Sequence, residues 1–157
     1  MIYGVTGHRD VEQEPGELLM FARLSVAKMV ERGCTEIITG MARGWDLKVA
    51  RAAFDLGVPY IAALPFPDQP NAWAQADQED WAWAIQRAAR CEVIGSLPLN
   101  IFYIKRDRWI VDQSVELWAL DSGRPSGSHT TVLYADEIGR TVRQLWEPWT
   151  RFRAERT

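Results

Sequence analysis

Short apolar runs alternate with stretches of helical periodicity along most of the chain. Residues 2–6 form an apolar run closed by Gly7, which predicts a buried first strand. Small or apolar residues then recur at the spacing of an amphipathic helix, which Gly33 is placed to end. They are Leu18, Phe21, Ala22, Ser25, Val26, Met29 and Val30.

The same two patterns continue towards the end of the chain. Further strands are predicted over residues 36–39, 58–64, 91–94, 115–120 and 141–145. Helices are predicted from about Asp46 to a cap at Gly57, around residues 81–88, over residues 101–111, and from after His129 to Ile138. Strands separated by single helices need crossover connections, so the pattern indicates an α/β fold. We expect a single Rossmann-like, doubly wound domain, with a mostly parallel sheet and helices on both faces.

That domain is predicted to occupy residues 1–146. Residues 68–77, between the third strand and the next helix, are expected to form a polar loop. Residues 147–157 are polar and charged, and we expect this C-terminal tail to fray.

Composition and charge narrow the class of protein. The 157 residues carry a net charge of −3, and 47% of them are hydrophobic, which favours a folded domain over a disordered chain. No apolar run approaches the roughly 18 residues of a membrane span, and no signal peptide is evident. We therefore expect a cytoplasmic protein with no membrane partner. The net negative charge disfavours bulk binding of nucleic acid and leaves only a local basic patch for it.

The two cysteines give no sign of a metal site. Cys34 and Cys91 stand in no metal-ligand spacing, and we expect two buried thiols in a reducing compartment. No metal and no cofactor are predicted.

Glycines and small hydroxyl residues gather where the predicted strands end. Ligands of open α/β sheets bind beyond the carboxyl ends of the strands, so these turns supply the candidate site. The candidate ligand-binding residues in them are Gly7, His8, Arg9, Gly40, Arg43, Gly44, Asp46, Ser126, Gly127, Ser128, Thr130 and Thr131.

The turn before the last long helix is the most informative of these. Gly127 allows close approach of the backbone to a ligand, and four hydroxyl side chains surround it. The N-terminus of the following helix adds unpaired N–H groups and the positive end of its dipole, which favours an anion such as phosphate. A simple Pro-Ser-Gly turn with a Ser/Thr helix cap explains the same residues. A second glycine-rich turn on the same edge favours the ligand.

That second turn, over residues 40–46, matches no standard nucleotide motif. It lacks the Gly-Lys-Ser/Thr ending of a Walker motif, and the chain contains no GxGxxG. Asp46 is a candidate for holding a ribose hydroxyl, and equally for a helix-start carboxylate that complements the dipole. Arg9 and Arg43 are candidate phosphate partners because guanidinium binds phosphate in a bidentate way. Surface arginines are common, so each taken alone is better explained as an ordinary surface arginine.

Few titratable groups suit catalysis. His8 lies in the first of the strand-end turns and suits acid–base chemistry near neutral pH. Asp112 lies near the C-terminus of its predicted helix, where a carboxylate opposes the dipole. This position favours a specific partner for it, such as Arg9, Arg106 or a ligand hydroxyl. With Asp46 these are the catalytic candidates, and no nucleophile elbow or triad supports covalent catalysis.

Eight tryptophans are many for a chain of this length. Trp81 and Trp118 fit core packing. Trp45, Trp73 and Trp109 fall beside the proposed cleft. For Trp73, Trp81 and Trp83, which flank the loop after the third strand, stacking on a base is one interpretation and packing on the sheet edge is the other, which is favoured for Trp81.

Taken in order, the strand-end motifs resemble those of a known superfamily. They are Thr-Gly-His-Arg, then Thr-Gly-Met-Ala-x-Gly-x-Asp, then Pro-Phe-x-x-Gln, then Arg-x-x-Trp-Ile-Val-Asp, then Gly-x-Pro-Ser-Gly-Ser-x-x-Thr-Val-x-Tyr-Ala. Over roughly residues 2–145 their order resembles the SLOG superfamily. That superfamily joins the DNA-processing protein A fold with the Lonely Guy phosphoribohydrolases, and the resemblance is nearest to the YpsA-like proteins of bacteria and phages.

The resemblance implies a domain that binds or senses a nucleotide or nucleotide-derived ligand, containing phosphate and ribose, at the glycine-rich edge. It also implies self-association as a homodimer. Carried over by position, the pocket comprises Gly7, His8, Arg9, Gly40, Gly44, Asp46, Arg106, Asp112, Ser126, Gly127 and Ser128.

One departure from the resemblance bears on catalysis. The hydrolase branch carries Pro-Gly-Gly-x-Gly-Thr-x-x-Glu, and here Thr131 stands at the position of the catalytic glutamate. Threonine cannot act as a carboxylate base, so the sequence favours binding or sensing. Hydrolysis of a nucleotide N-glycosidic bond is the first alternative. Single-stranded DNA binding by the basic stretch around Arg106 is a weaker one.

Overall fold

A computed structural model describes residues 1–156 as one six-stranded sheet flanked by helices. The strands are β1 (Ile2–Gly7), β2 (Glu36–Thr39), β3 (Tyr60–Leu64), β4 (Arg90–Val93), β5 (Glu116–Leu120) and β6 (Thr141–Gln144). The helices are α1 (Glu17–Glu31), α2 (Trp45–Asp55), α3 (Gln75–Arg87), α4 (Ile101–Gln113), α5 (Gly127–Glu137) and α6 (Trp146–Glu155).

The strand order is β4-β3-β2-β1-β5-β6, and all five neighbouring pairs are parallel. The chain winds outwards from β1 to β4 and then crosses back to place β5 beside β1. The loops that follow β1 and β5 therefore diverge at the point where the winding changes direction, which is where open α/β sheets form their binding crevice.

Successive residues of the strands alternate between two cores, one on each face of the sheet. Ile37 belongs to the core that includes Phe21 of α1 and Val49 of α2. Its neighbour Ile38 belongs to the core that includes Ile110 of α4 and Val132 of α5. The period of two residues follows from the pleat of a strand, and helices cover both faces. The predicted doubly wound α/β fold is confirmed.

Some predicted boundaries move by a few residues, each for a local reason. β3 begins at Tyr60 rather than at residue 58, because the Val58 N–H donates to the Ala53 carbonyl at 2.8 Å and still closes the end of α2. Pro59, the next residue, has no N–H to donate to a ladder. The loop after β3 is also shorter than predicted, since α3 begins at Gln75.

The C-terminal residues, expected to fray, instead form α6. Trp149 of this helix is 1% exposed, and its ring packs against Phe21 of α1 with a centroid separation of 5.3 Å. Arg153 forms an ion pair with the buried Glu17 of α1 at 3.2 Å. The segment is polar in composition, but one large apolar side chain, Trp149, is enough to dock this short helix against α1.

One of the two thiols was predicted wrongly. Cys34 is buried, but Cys91 is exposed, because it lies on β4, which pairs with β3 alone and forms an edge of the sheet. None of the helices in residues 1–156 combines the length and apolarity needed to cross a bilayer.

Candidate functional site

A cavity of about 390 Å³ opens at the carboxyl edge of the sheet, between the loops that follow β1, β2 and β5. We call it the edge cavity. The start of α4 closes its remaining side. Its lining consists of Thr6, Gly7, His8, Arg9, Asp10, Ala42, Arg43, Asp46, Tyr103, Arg106, Asp107, Arg124, Ser126, Gly127 and Ser128.

The loops after β1 and β2 pack against each other, backbone to backbone. The N–H of Trp45 donates to the carbonyl of His8 at 3.3 Å. Gly44 has a φ of +80°, and a Cβ there would lie 2.4 Å from the carbonyl oxygen of Arg9. A Cβ on Gly7 would lie 2.4 Å from the Trp45 ring. Both glycines are therefore required by packing between loops, and Gly44 does not line the edge cavity.

His8 links the three elements that meet at the winding switch. The Ser122 N–H donates to Nε2 of His8 at 2.9 Å, so Nε2 is unprotonated in the neutral ring and Nδ1 carries the hydrogen. Nδ1 then donates to the Ser128 hydroxyl at 3.1 Å. Burial, reinforced by the charge of Arg124, lowers the pKa of His8 below its usual value. The neutral imidazole ring therefore holds the Ser128 hydroxyl in position.

The N-terminus of α5 presents its first N–H groups at the cavity. Ser126 caps the helix, its hydroxyl accepting the N–H of His129 at 3.1 Å. The N–H groups of Gly127 and Ser128, in the first turn, have no intrahelical acceptor. These groups and the helix dipole create a local site for an anion.

The two threonines of the same turn do not contribute to the edge cavity. Thr130 donates its hydroxyl to the Ser126 carbonyl at 3.0 Å, and Thr131 donates to the Gly127 carbonyl at 2.8 Å. Their hydrogens are used within the helix. The predicted hydroxyl cluster is thereby reduced to Ser126 and Ser128 on the cavity wall.

Gly127 is unlike the glycines of the other loops. Its φ is not positive, and a Cβ built on it would meet nothing within 4 Å. Neither backbone strain nor packing within the protein requires glycine here. A side chain at this position would extend into open space at the wall of the cavity.

Asp46 lies at the floor of the cavity with its side chain almost wholly enclosed. The residue is 6% exposed, Oδ2 accepts the Ala42 N–H at 3.4 Å, and buried Oδ1 has no hydrogen-bond partner within residues 1–156. Desolvation by burial raises the pKa of Asp46 to about 7, against the opposing pull of Arg106. The group is an acceptor whose charge changes close to neutral pH.

Arg106 supports the floor of the cavity from α4. Its Nε donates to Asp107 at 2.6 Å, and Nη1 donates to the carbonyl of Gly40. That carbonyl also accepts from the Nε2 of Gln69 at 3.0 Å. Gly40 is needed because a Cβ would lie 2.9 Å from the guanidinium carbon of Arg106. Gln69, a buried residue not predicted for the site, holds the loop after β2 in place.

Three further arginines surround the mouth of the cavity. Arg9 is exposed and forms no ion pair within residues 1–156. Arg43 lies 4.0 Å from Asp77, and its buried Nε has no hydrogen-bond partner among the residues described. Arg124, which the sequence did not single out, pairs with Asp10 at 2.7 Å. The mouth is locally basic although the chain as a whole is acidic.

Some predicted site residues lie elsewhere. Asp112 is exposed and accepts the hydroxyl of Tyr134 at 2.7 Å, so its partner within the protein is Tyr134 rather than an arginine. The edge cavity instead includes Tyr103, which the sequence analysis missed. Its position three residues before Arg106, on the same face of α4, is the signal that would have found it.

None of the tryptophans within residues 1–156 lines the edge cavity. Trp45 is fully buried against Gly7 and Phe21, and Trp109 packs against the core beneath α4 and α5. Trp73 lines a different surface pocket, beside α3. These three rings, expected beside the cleft, therefore do not line the edge cavity.

Comparison with known proteins identifies the fold. The model of the DNA recombination-mediator protein A family matches residues 1–155. DNA processing protein A from Streptococcus pneumoniae superposes with a TM-score of 0.69 at 22% identity, covering 90% of this chain and 49% of that one. DNA processing protein A from Helicobacter pylori, described for its single-stranded DNA binding, gives 0.69 at 16% identity, with coverages of 92% and 64%.

A further match is the molybdenum cofactor carrier protein of Chlamydomonas reinhardtii, with a TM-score of 0.60 at 18% identity and coverages of 91% and 74%. The chain spans 49% and 64% of the length of the two DNA processing proteins. No curated protein matches the sequence. The resemblance to the superfamily that contains DNA-processing protein A is confirmed, and the YpsA-like placement stays a prediction.

Proposed function

Because the chain belongs to the DNA recombination-mediator protein A family and has a polar cavity at the switch point of its sheet, we propose that it binds or senses a nucleotide-derived small ligand. The ligand contains a phosphate and a ribose. The edge cavity holds both groups.

Two buried polar atoms without partners carry this proposal. Oδ1 of Asp46 is an acceptor and Nε of Arg43 is a donor, and both residues line the edge cavity. A buried polar group left unpaired costs about 1–3 kcal/mol, so each calls for a partner, and a ligand in the edge cavity is such a partner for these two groups. A ligand with both an anionic oxygen and a hydroxyl satisfies the pair, and a sugar phosphate has this combination.

The phosphate is assigned to the N-terminus of α5. The free N–H groups of Gly127 and Ser128 and the dipole of the helix attract an anion there. Ser128 is held by His8 at 3.1 Å, and the exposed Arg9 lines the same cavity. The ribose hydroxyl is assigned to the carboxyl group of Asp46, which lines the floor of the same cavity.

Ligand-induced stabilisation tests the proposal. Ribose 5-phosphate and the nucleoside 5′-monophosphates are expected to raise the melting temperature in a concentration-dependent way. At a hundredfold excess over Kd the gain is about 2.7 kcal/mol, or roughly 5–10 °C for a domain of this size. Unphosphorylated ribose is expected to give a much smaller shift.

Gly127→Asp separates binding from folding. A carboxylate in the first turn of a helix complements the dipole, and the position has room for a side chain, so the unliganded melting temperature should not fall. The same carboxylate repels phosphate and should abolish the ligand-induced shift. Ala27→Asp on the exposed face of α1 is the matched control and should retain the full shift. The proposal fails if no phosphorylated probe stabilises the wild type, or if Gly127→Asp responds equally.

A short single-stranded oligonucleotide belongs in the same panel. If the oligonucleotide binds with a steep salt dependence and the mononucleotides do not bind, the cavity binds a nucleic-acid backbone rather than a small ligand.

Asp46 also supports a second candidate, cleavage of the N-glycosidic bond of a nucleotide. A carboxyl with a pKa of about 7 that lines a cavity is suited to proton transfer at neutral pH. His8 is unsuited to the role because both ring nitrogens are engaged within the protein. Release of free base from nucleoside monophosphates, lost in Asp46→Asn, would support this activity. If the nucleotides remain intact after prolonged incubation, cleavage is excluded and the binding proposal remains.

A further inference from the structure

We propose that the bound ligand continues past Gly127 into a second cavity, where its nucleobase lies between α4 and α5. This inference rests on the proposed function and specifies its ligand as a nucleotide with an intact base. The second cavity, of about 300 Å³, is called the α4–α5 groove. Its walls include Ile104, Leu133 and Tyr134.

The groove and the edge cavity adjoin each other. Tyr103, Asp107 and Gly127 line both of them. A Cβ on Gly127 would meet no atom within 4 Å, so no side chain at this position separates the two cavities. A ligand with its phosphate at the N-terminus of α5 therefore has room to extend into the groove.

The groove differs from the edge cavity in its chemistry. Leu133 is 54% exposed and Ile104 is 44% exposed, so both leave apolar surface facing solvent. Thr130 and Thr131 also line the groove, and their hydroxyls already donate to carbonyls of α5. The walls consequently offer mostly apolar contact, as pockets for ring systems do.

The ring of Tyr134 is held in place at the far wall. Its hydroxyl donates to Asp112 at 2.7 Å, and the guanidinium carbon of Arg108 lies 4.9 Å from the ring centroid. A ring fixed on two sides offers a flat contact surface with little entropy left to lose on binding. The pairing of Asp112 with Tyr134 thus acquires a positioning role.

The distribution of charge favours one direction for the ligand. The free N–H groups at the N-terminus of α5 favour the anionic phosphate there. In the groove the carboxylate of Asp107 is already paired with Arg106 at 2.6 Å, and Glu137 and Arg108 carry opposite charges. A neutral base is compatible with this balance, so phosphate and base occupy opposite ends of the two cavities.

Comparison of ribose 5-phosphate with the nucleoside 5′-monophosphates, by calorimetry on the full chain, tests the inference. At least one nucleotide is expected to bind about tenfold tighter than ribose 5-phosphate, because contact of a base with aromatic side chains has an effect of this order on affinity. In saturation-transfer NMR the base protons are expected to receive stronger saturation from the protein than the ribose protons.

Leu133→Asp should remove the nucleotide's advantage and leave the Kd of ribose 5-phosphate within about twofold. Ile104→Asp is a second variant of the same kind, and Leu24→Asp on exposed α1 is the matched control. Equal affinity of ribose 5-phosphate and every nucleotide, unchanged in Leu133→Asp, overturns the groove inference and leaves the proposed function standing. Absence of binding by any phosphorylated probe overturns the proposed function itself.

Discussion

Replacing Trp149 by alanine is expected to destabilise the protein by about 3–5 kcal/mol, a large part of the stability of a domain of this size. The ring is 1% exposed and packs against Phe21 and Phe152, with centroid separations of 5.3 and 6.0 Å. Its removal leaves a cavity between α6 and α1 that rigid neighbours cannot fill.

Urea denaturation followed by far-ultraviolet circular dichroism measures the loss. Arg151→Ala, on the exposed face of the same helix, is the control and should change the free energy of unfolding by no more than about 0.5 kcal/mol. A loss below about 1 kcal/mol for Trp149→Ala would mean that α6 is not docked on α1 in solution.

Asp46→Asn is expected to stabilise the unliganded protein at alkaline pH and to change little at acid pH. The folded-state pKa of Asp46 is about 7, raised from 3.8 by burial, so the folded chain holds this proton more tightly than the unfolded chain does. As the pH rises from about 4 to about 7, the wild type loses stability through this group. The difference of about 3 units corresponds to a ceiling of about 4 kcal/mol. Asparagine keeps an acceptor for the Ala42 N–H and carries no charge.

Denaturation of the wild type and Asp46→Asn at pH 5, 6, 7 and 8 tests this prediction. The difference between the two proteins should grow with pH and level off above about pH 8. Asp77→Asn, at an ordinary surface pair with Arg43, should show no such growth. A difference that does not depend on pH would mean that Asp46 is ionised throughout. The affinity for a ribose-containing ligand should fall in the Asp46→Asn variant, because its neutral amide is a weaker acceptor for a ribose hydroxyl than a carboxylate is.

The buried carboxyl group of Asp46 is expected to make the site less stable without a ligand than a neutral side chain in its place would. A buried carboxyl with a free oxygen and an arginine with a free Nε lie on one cavity. Functional sites commonly retain such unsatisfied groups because the ligand, rather than the protein, completes their hydrogen bonds. The stability forgone at Asp46 is therefore the strongest physical sign that the edge cavity binds something.

The strand and helix pattern was predictable because it depends on local periodicity. Ile37 and Ile38 face different cores through the pleat of one strand, which the run of apolar residues already implied. The tail was mispredicted because a single anchor, Trp149, outweighs the polar residues around it. Composition averages over a segment, whereas docking depends on one side chain and the groove that receives it.

The candidate site was predictable only in its location. The carboxyl ends of parallel strands meet at one edge, so Gly7, Asp46 and Gly127 were expected to lie near one another. Their roles were not predictable from residue type. A Cβ on Gly7 would clash with the Trp45 ring, whereas a Cβ on Gly127 would meet no atom within 4 Å. Both positions hold glycine, so residue type alone does not reveal this difference.

By itself the sequence determined the alternation of strands and helices, the sheet edge that carries the candidate site, and the superfamily, since each follows from patterns within short stretches of chain. Only the tertiary structure decided which polar groups are already satisfied. It paired Asp112 with Tyr134, engaged both nitrogens of His8, and left Asp46 Oδ1 without a partner. Hydrogen-bond partners come from residues distant in sequence, so the atoms available to a ligand are defined only when the loops have come together.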